Sequence, residues 1–240
     1  MTVSFLASVT SADEAMLAVA GGADIIDCKD PGRGALGALP VATVAAIRAV
    51  VPAGIPVSAT IGDLHAEPGL VAAAAQGMAA SGCDIVKIGF FPGGDPRATI
   101  AALGDLDLGS TRLAGLLLAD LKPDFSLIGA MGEARFAGVM LDTAGKDGRS
   151  LLDHATLPVL SHFIAQAHNA GLFAGLAGSL QLCHVAGLLR LKPNVLGFRG
   201  ALCDGSVRTG TLSASAITAI RAGIDRGMGQ ACGLQSGTAG

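Results

Sequence analysis

Three of the five lysines, Lys29, Lys87 and Lys146, stand at the ends of apolar runs or just beyond them. The runs read Ala23-Asp24-Ile25-Ile26-Asp27-Cys28-Lys29, Asp84-Ile85-Val86-Lys87 and Gly138-Val139-Met140-Leu141-Asp142, the last followed by Thr143-Ala144-Gly145-Lys146. Elsewhere the chain prefers arginine, with eleven Arg against five Lys. Arginine keeps its proton in any protein setting, whereas a desolvated lysine can become a free amine and form a Schiff base with a carbonyl substrate. Side chains alternate along a strand, so Asp27 and Lys29 share one side while Cys28 takes the other. Ile85 with Lys87, and Met140 with Asp142, are in phase in the same way. If those sides face inward, two amines and two carboxylates converge from three strands, and burial beside another cation depresses a lysine pKa. A lysine next to an aspartate is also a common structural ion pair. Recurrence at successive strand ends, in a chain this poor in lysine, favours chemistry.

The elements that must position these groups alternate along the whole chain. Eight β-rich runs are expected at Val3–Val9, Asp24–Lys29, Ile55–Ile61, Asp84–Gly89, Thr111–Ala119, Phe136–Asp142, Leu172–Ala177 and Val195–Arg199. Alanine-rich helical stretches separate them. Ser11-Ala12-Asp13-Glu14 reads as a capping box, Asp95-Pro96 as a cap followed by proline at the first helical position, and Gly21, Gly82 and Gly171 as helix stops. Strand-helix repetition of this kind implies parallel strands joined by right-handed crossovers. Eight such units match a single (β/α)8 TIM barrel, an α/β fold, and the first turn, Val9-Thr10-Ser11-Ala12, lacks the glycine fingerprint of an open dinucleotide-binding sheet. The barrel domain is expected to span residues 1–227, with a Gly/Ser/Ala-rich tail of 228–240 that carries no periodicity and reads as disordered.

A barrel of this kind carries its active site at the carboxyl ends of the strands. Asp63 and Asp120 follow the third and fifth runs; each is a possible pocket residue or a cap for the next helix. The seventh and eighth runs end Ala177-Gly178-Ser179-Leu180 and Phe198-Arg199-Gly200-Ala201, where glycine and serine backbone amides suit a phosphate dianion. Arg199 and Arg208 are the cations for that phosphate, or else members of ion pairs at the rim. Of the five histidines only His65 falls near the mouth, and without histidine pairs at ligand spacing no metal or other cofactor is expected. Cys28, Cys83, Cys183 and Cys203 read as small buried residues, and Cys232 lies in the tail.

Composition narrows the partners. A net charge of −3, with no Trp, no Tyr and no basic run, removes the phosphate-tracking charge and most stacking platforms of a nucleic-acid binder. No apolar run approaches the roughly 20 residues that a membrane span needs. The N-terminus lacks a signal-peptide pattern and the cysteines form no Cys-x-x-Cys pair, so a cytoplasmic, reduced setting is expected, with a homo-oligomer as the assembly and a small anionic molecule as the ligand.

Five segments carry a resemblance to a known family: Gly21-Gly22-Ala23-Asp24-Ile25-Ile26-Asp27-Cys28-Lys29, Ser58-Ala59-Thr60-Ile61-Gly62-Asp63, Leu141-Asp142-Thr143-Ala144-Gly145-Lys146-Asp147-Gly148, Leu176-Ala177-Gly178-Ser179 and Arg199-Gly200-Ala201. In order and without large gaps, from about residue 4 to 225, the chain resembles the (5-formylfuran-3-yl)methyl phosphate synthases of methanofuran biosynthesis. The resemblance implies a TIM-barrel lyase that condenses two molecules of glyceraldehyde 3-phosphate into a furan aldehyde phosphate, releasing phosphate and water. It makes Lys29 the Schiff-base lysine and Lys87 the proton-transfer residue, with Asp27, Asp142 and Lys146 as further pocket members. Two positions depart from the pattern, Gly145 where a bulkier apolar residue is expected and Ala35 where serine is common. Two other functions fit the same residues: a class I aldolase acting on a sugar phosphate, and a non-catalytic barrel serving as scaffold or small-molecule sensor. Orotidylate-decarboxylase-like barrels add an aspartate three residues beyond the lysine, a position held here by Gly32.

Overall fold

The computed structural model describes residues 2–145 and 148–233. Lys146, singled out above, lies outside the described residues. Eight strands, β1 (Ser4–Val9), β2 (Ile25–Cys28), β3 (Val57–Thr60), β4 (Ile85–Gly89), β5 (Arg112–Leu118), β6 (Gly138–Asp142), β7 (Phe173–Leu176) and β8 (Val195–Phe198), each fall inside an expected run. All pair in parallel with their sequence neighbours, and β8 pairs with β1, so the sheet closes into a barrel. The expected α/β barrel is the fold observed.

Helices α1 (Ala12–Ala20), α2 (Val41–Val50), α3 (Pro68–Ala79), α4 (Pro96–Gly104), α5 (Leu127–Glu133), α6 (Leu151–His154), α7 (Leu157–Asn169), α8 (Leu182–Leu189) and α9 (Ala214–Gly233) follow the strands. Their apolar faces and the outward residues of the strands, Phe5, Cys28, Val86, Leu117 and Val139 among them, form one continuous core between sheet and helices. The Asp95 carboxylate caps α4 by accepting from the Ala98 N–H at 2.9 Å. At α1 only half of the capping box forms. Ser11 accepts from the Glu14 N–H, but the Glu14 carboxylate turns to the Thr10 N–H at 2.7 Å and to Arg199. The last helix also departs from expectation: α9 runs through Gly233, past the break placed at residue 227, and the Val3 N–H reaches the Met228 sulfur at 3.5 Å. A helix-breaking composition there is overridden by a helix that already has Ile217, Ile220 and Ile224 buried against the barrel. Cys183 is exposed, unlike Cys28, Cys83 and Cys203, because it follows directly on Leu182 at the exposed start of α8.

Inside the barrel, large and small residues are paired across strands. Gly138 stands opposite Phe173 and Gly175 opposite Met140 in the β6–β7 register. A Cβ on Gly138 meets the Phe173 ring, and one on Gly175 meets the Met140 side chain. Together with Leu6, Ile25, Ile85 and Val195 these side chains plug the barrel's lower half, so the open space is confined to the carboxyl ends of the strands. A thioether chain can swing aside where a ring cannot, so Gly138→Ala is expected to destabilise by about 1–3 kcal/mol and Gly175→Ala by less. Urea denaturation of the two variants checks the order; equal losses would show that the two positions are not packed as described.

Candidate active site

Asp27 is the centre of the polar interior. β1, β2 and β3 are in register so that Ser8, Asp27 and Ser58 form one row across three strands. The Ser8 hydroxyl donates to Asp27 Oδ2 at 2.9 Å and the Ser58 hydroxyl to Oδ1 at 2.7 Å. From β4, the Lys87 ammonium reaches the same Oδ1 at 2.6 Å. Asp27 has no solvent exposure and Lys87 is 3% exposed. One turn of the pleat further up, Lys29 crosses the barrel mouth to Asp142 Oδ2 on β6 at 3.6 Å. The other oxygen of Asp142 accepts from the Thr143 N–H at 2.7 Å. The strand phase read from the sequence thus holds: Asp27, Lys29, Lys87 and Asp142 line one cavity, and Cys28 points into the helical shell.

Two cations and two anions share this site, and their environment sets which of them yields a proton. Burial lowers the Lys87 pKa, and the nearby Lys29 ammonium lowers it further, against the opposing pull of Asp27 and Asp142. For Asp27 burial pushes upward, but the Lys87 and Lys29 charges and the hydrogen bonds from Lys87 and Ser58 outweigh it, and the carboxyl stays below its ordinary value. The environment therefore favours the charged form of Asp27 and makes Lys87 easier to deprotonate than an ordinary lysine.

The cavity above them has a volume of about 270 Å³. Its far wall is made by Gly178, Ser179 and Gln181 after β7 and by Gly200, Ser206 and Arg208 after β8. Gly178 has φ +104° and packs so closely on Thr143 that a Cβ would lie 2.9 Å from its methyl. Among the described residues, the backbone N–H groups of Gly178, Ser179 and Gly200 have no protein acceptor. Arg208 anchors one guanidinium nitrogen on the Gly34 carbonyl at 3.2 Å and otherwise faces the cavity. Free backbone N–H groups and a guanidinium of this kind suit an anion, and they line the same cavity as Lys29.

Not every expected residue reaches it. Asp63 accepts from the Ala35 and Leu36 N–H groups at 2.8 and 2.7 Å, and Asp120 from those of Ala144 and Gly145 at 2.8 and 2.6 Å. Neither lines the cavity; each carboxylate caps the loop after another strand rather than its own next helix. Glycine at 145 is explained by this contact, since a Cβ there would lie 3.0 Å from Asp120. His65 is exposed and away from the cavity wall. Arg199 borders the cavity, but all five of its N–H groups are spent on Glu14 and on the Ser8, Arg208 and Gly210 carbonyls. Of the two roles open to it, ion pair at the rim is the one the geometry fits. Ser8 and Ser58 were not singled out from the sequence. The available signal was a hydroxyl at an inward position of an otherwise apolar strand.

Breaking the central pair should show its worth. Asp27→Asn leaves Lys87 buried without its anion and is expected to destabilise by about 3–5 kcal/mol at pH 7. Lys87 then holds fewer protons folded than unfolded, so the deficit should shrink as pH rises toward the ordinary lysine value. Denaturation from pH 7 to 10 checks this; a deficit that is constant with pH would mean that Lys87 is not the group left stranded.

Comparison with known proteins places this geometry. Residues 5–221 match the family model described as 4-HFC-P synthase. The (5-formylfuran-3-yl)methyl phosphate synthase of Methanocaldococcus jannaschii is 37% identical over 220 or so positions, covering 85% of this chain and 91% of its own. A Methylorubrum extorquens protein that carries the same name provisionally is 42% identical, covering 91% and 92%. Among solved structures, phosphoribosyl anthranilate isomerase from Thermotoga maritima superposes with a TM-score of 0.69 at 12% identity, covering 94% of this chain and all of the other. The 3-hexulose-6-phosphate synthase of Salmonella typhimurium reaches 0.66 at 17%, covering 94% and 100%. At those identities the structural likeness concerns the barrel alone, whereas the family match extends over nearly the whole chain: this protein belongs to the 4-HFC-P synthase family.

Proposed function

We propose that the protein condenses two molecules of glyceraldehyde 3-phosphate into (5-formylfuran-3-yl)methyl phosphate, with loss of one phosphate and two molecules of water, as a step toward methanofuran. The observation that carries this reading is the pair of amines at different depths, Lys29 at the cavity and Lys87 beneath it, held by Asp142 and Asp27. The family membership and the names of the relatives support the product.

Lys29 is the amine that attacks the aldehyde. Its contact with Asp142 is long, 3.6 Å against 2.6 Å for Lys87 with Asp27, so less must be broken to release it. Loss of water from the carbinolamine gives an iminium, which acidifies the adjacent C–H. Lys87, whose lowered pKa makes the neutral amine more accessible, takes that proton in its neutral form. The enamine attacks the second aldehyde carbon, forming the new C–C bond. Phosphate then leaves as a dianion, a hydroxyl closes the ring on a carbonyl carbon, hydroxyls leave as water with protons lost from carbon, and water hydrolyses the imine to free Lys29. Asp142 and Lys146 are the acids proposed for those steps. The N–H groups of Gly178, Ser179 and Gly200 with Arg208 bind a substrate phosphate. Such a sequence calls on no metal, and among the described residues no three His, Cys, Asp or Glu gather as ligands.

Borohydride with glyceraldehyde 3-phosphate is expected to add a stable mass to the peptide containing Lys29, and Lys29→Arg to abolish adduct and turnover together. Lys87→Met should keep the adduct while turnover falls by about two orders of magnitude or more, the usual worth of a general base. Adduct on Lys87 in the wild type would exchange the two roles. Phosphate release is expected in step with a new near-ultraviolet band, easily seen in a protein without Trp or Tyr. A product that keeps both phosphates and reverts to trioses would instead identify an aldolase. Activity should survive exhaustive chelation; loss restored by a divalent ion would replace the imine mechanism.

A further inference from the structure

We infer that Arg199 and Glu14 form a clamp that positions the loop bearing Arg208, so that Arg199 serves the binding of a phosphate monoester without touching it. The inference rests on the reading of the cavity as a site for a phosphorylated substrate. Glu14 lies in the first turn of α1 and Arg199 directly after β8, at opposite ends of the chain. The guanidinium meets the carboxylate in two hydrogen bonds, Nη1 to Oε2 at 2.6 Å and Nη2 to Oε1 at 3.1 Å. Glu14 Oε2 also accepts from the N–H and the hydroxyl of Thr10 at 2.7 and 2.9 Å, which fixes the carboxylate on the β1–α1 turn. The remaining Arg199 donors hold backbone: Nη1 the Ser8 carbonyl at 3.1 Å, Nε the Arg208 carbonyl at 2.9 Å, Nη2 the Gly210 carbonyl at 3.0 Å.

These acceptors are the reason the pair does more than bridge two elements. Residues 199–210 form a loop of two short 3-10 turns with Gly205 and Ser206 both at positive φ, and that loop contributes Gly200, Ser206 and Arg208 to the cavity wall. Arg199 ties the loop's far end, at 208 and 210, back to its own start. It thereby sets the direction of the Arg208 side chain and closes the loop over Gly200, where a Cβ would lie 3.3 Å from the Ser206 carbonyl. Lysine cannot replace it. One ammonium has no planar fork to grip a carboxylate and three divergent carbonyls together. The same Arg199 donates to the carbonyl of Ser8, which anchors the loop to β1.

The test titrates inorganic phosphate into wild type, Arg208→Ala, Arg199→Lys and Glu14→Gln by calorimetry, with KM and kcat for glyceraldehyde 3-phosphate and imine trapping by unphosphorylated glyceraldehyde measured alongside. Arg199→Lys and Glu14→Gln are each expected to weaken phosphate binding and raise KM by about tenfold, approaching Arg208→Ala, with kcat and glyceraldehyde trapping little changed. The isosteric Glu14→Gln keeps the test alive if Arg199→Lys does not fold. Phosphate binding that is unaffected in both variants, or absent in the wild type, overturns the clamp. So does an equal loss toward phosphorylated and unphosphorylated aldehyde, the mark of a purely structural role. Should phosphate binding depend on Arg199 and Arg208 while glyceraldehyde 3-phosphate is not turned over, the clamp stands and the synthase reading falls.

Discussion

The structure depends on the deeper of two buried anions, Asp27. Two ammonium groups cannot share the inside of a barrel unless negative charge is already there to receive them, because the cost of taking each out of water exceeds what packing returns. Asp142 supplies that charge for Lys29 and Asp27 for Lys87, and Asp27 is itself held by Ser8 and Ser58, which donate to it from the strands on either side. The row of three is a property of register: a slip of one residue in β1–β2 or β2–β3 would send a serine to the helical shell and leave the carboxylate short of a donor. Closure of the sheet and the chemistry of its mouth are therefore one constraint.

That constraint also explains how the chain divides its cations. Among the described residues, the two interior lysines each face one carboxylate oxygen, Lys87 at 2.6 Å and Lys29 at 3.6 Å. Arginines are used where a planar fork must hold several oxygens at once: Arg199 as described, and Arg48, which binds Asp84 together with the Ile55, Val51 and Pro52 carbonyls. A guanidinium in the place of Lys87 would sit permanently charged and could take no proton from carbon. The arginine-leaning composition thus fits a division in which guanidinium groups hold several backbone carbonyls and the interior lysines each face one carboxylate.

Strand phase was the part of this legible from sequence, since period-two alternation is local and needs no partner to be read. It assigned all eight strands, put Asp27, Lys29, Lys87 and Asp142 on one surface, and located the glycines after β7 and β8. Loop carboxylates resisted the same logic. Asp63 and Asp120 look alike as acids beyond strand ends, but their acceptor roles are set by loops 24 or more residues away in sequence, at Ala35, Leu36, Ala144 and Gly145. Glu14 was read as half of a local box and proved to have a partner 185 residues distant. The extension of α9 past Gly227 is another case of tertiary packing overriding local composition.

Depth separates the two lysines more firmly than any difference in their type. Lys87, on β4 itself, is sealed by β-strand backbone on both sides and bonded at 2.6 Å to an anion that cannot move, since Asp27 is held from three directions. Its ammonium cannot reach a substrate carbon without first breaking that contact. Lys29 follows the last residue of β2, its backbone still paired to Val9, and its side chain spans open cavity to reach Asp142. Under the proposed mechanism a carbonyl entering from the side of Gly178 and Gly200 meets Lys29 first. An imine at Lys29 then carries its acidic C–H above Lys87, so the proposed order of events follows from the different depths of two side chains on β2 and β4, strands separated by β3.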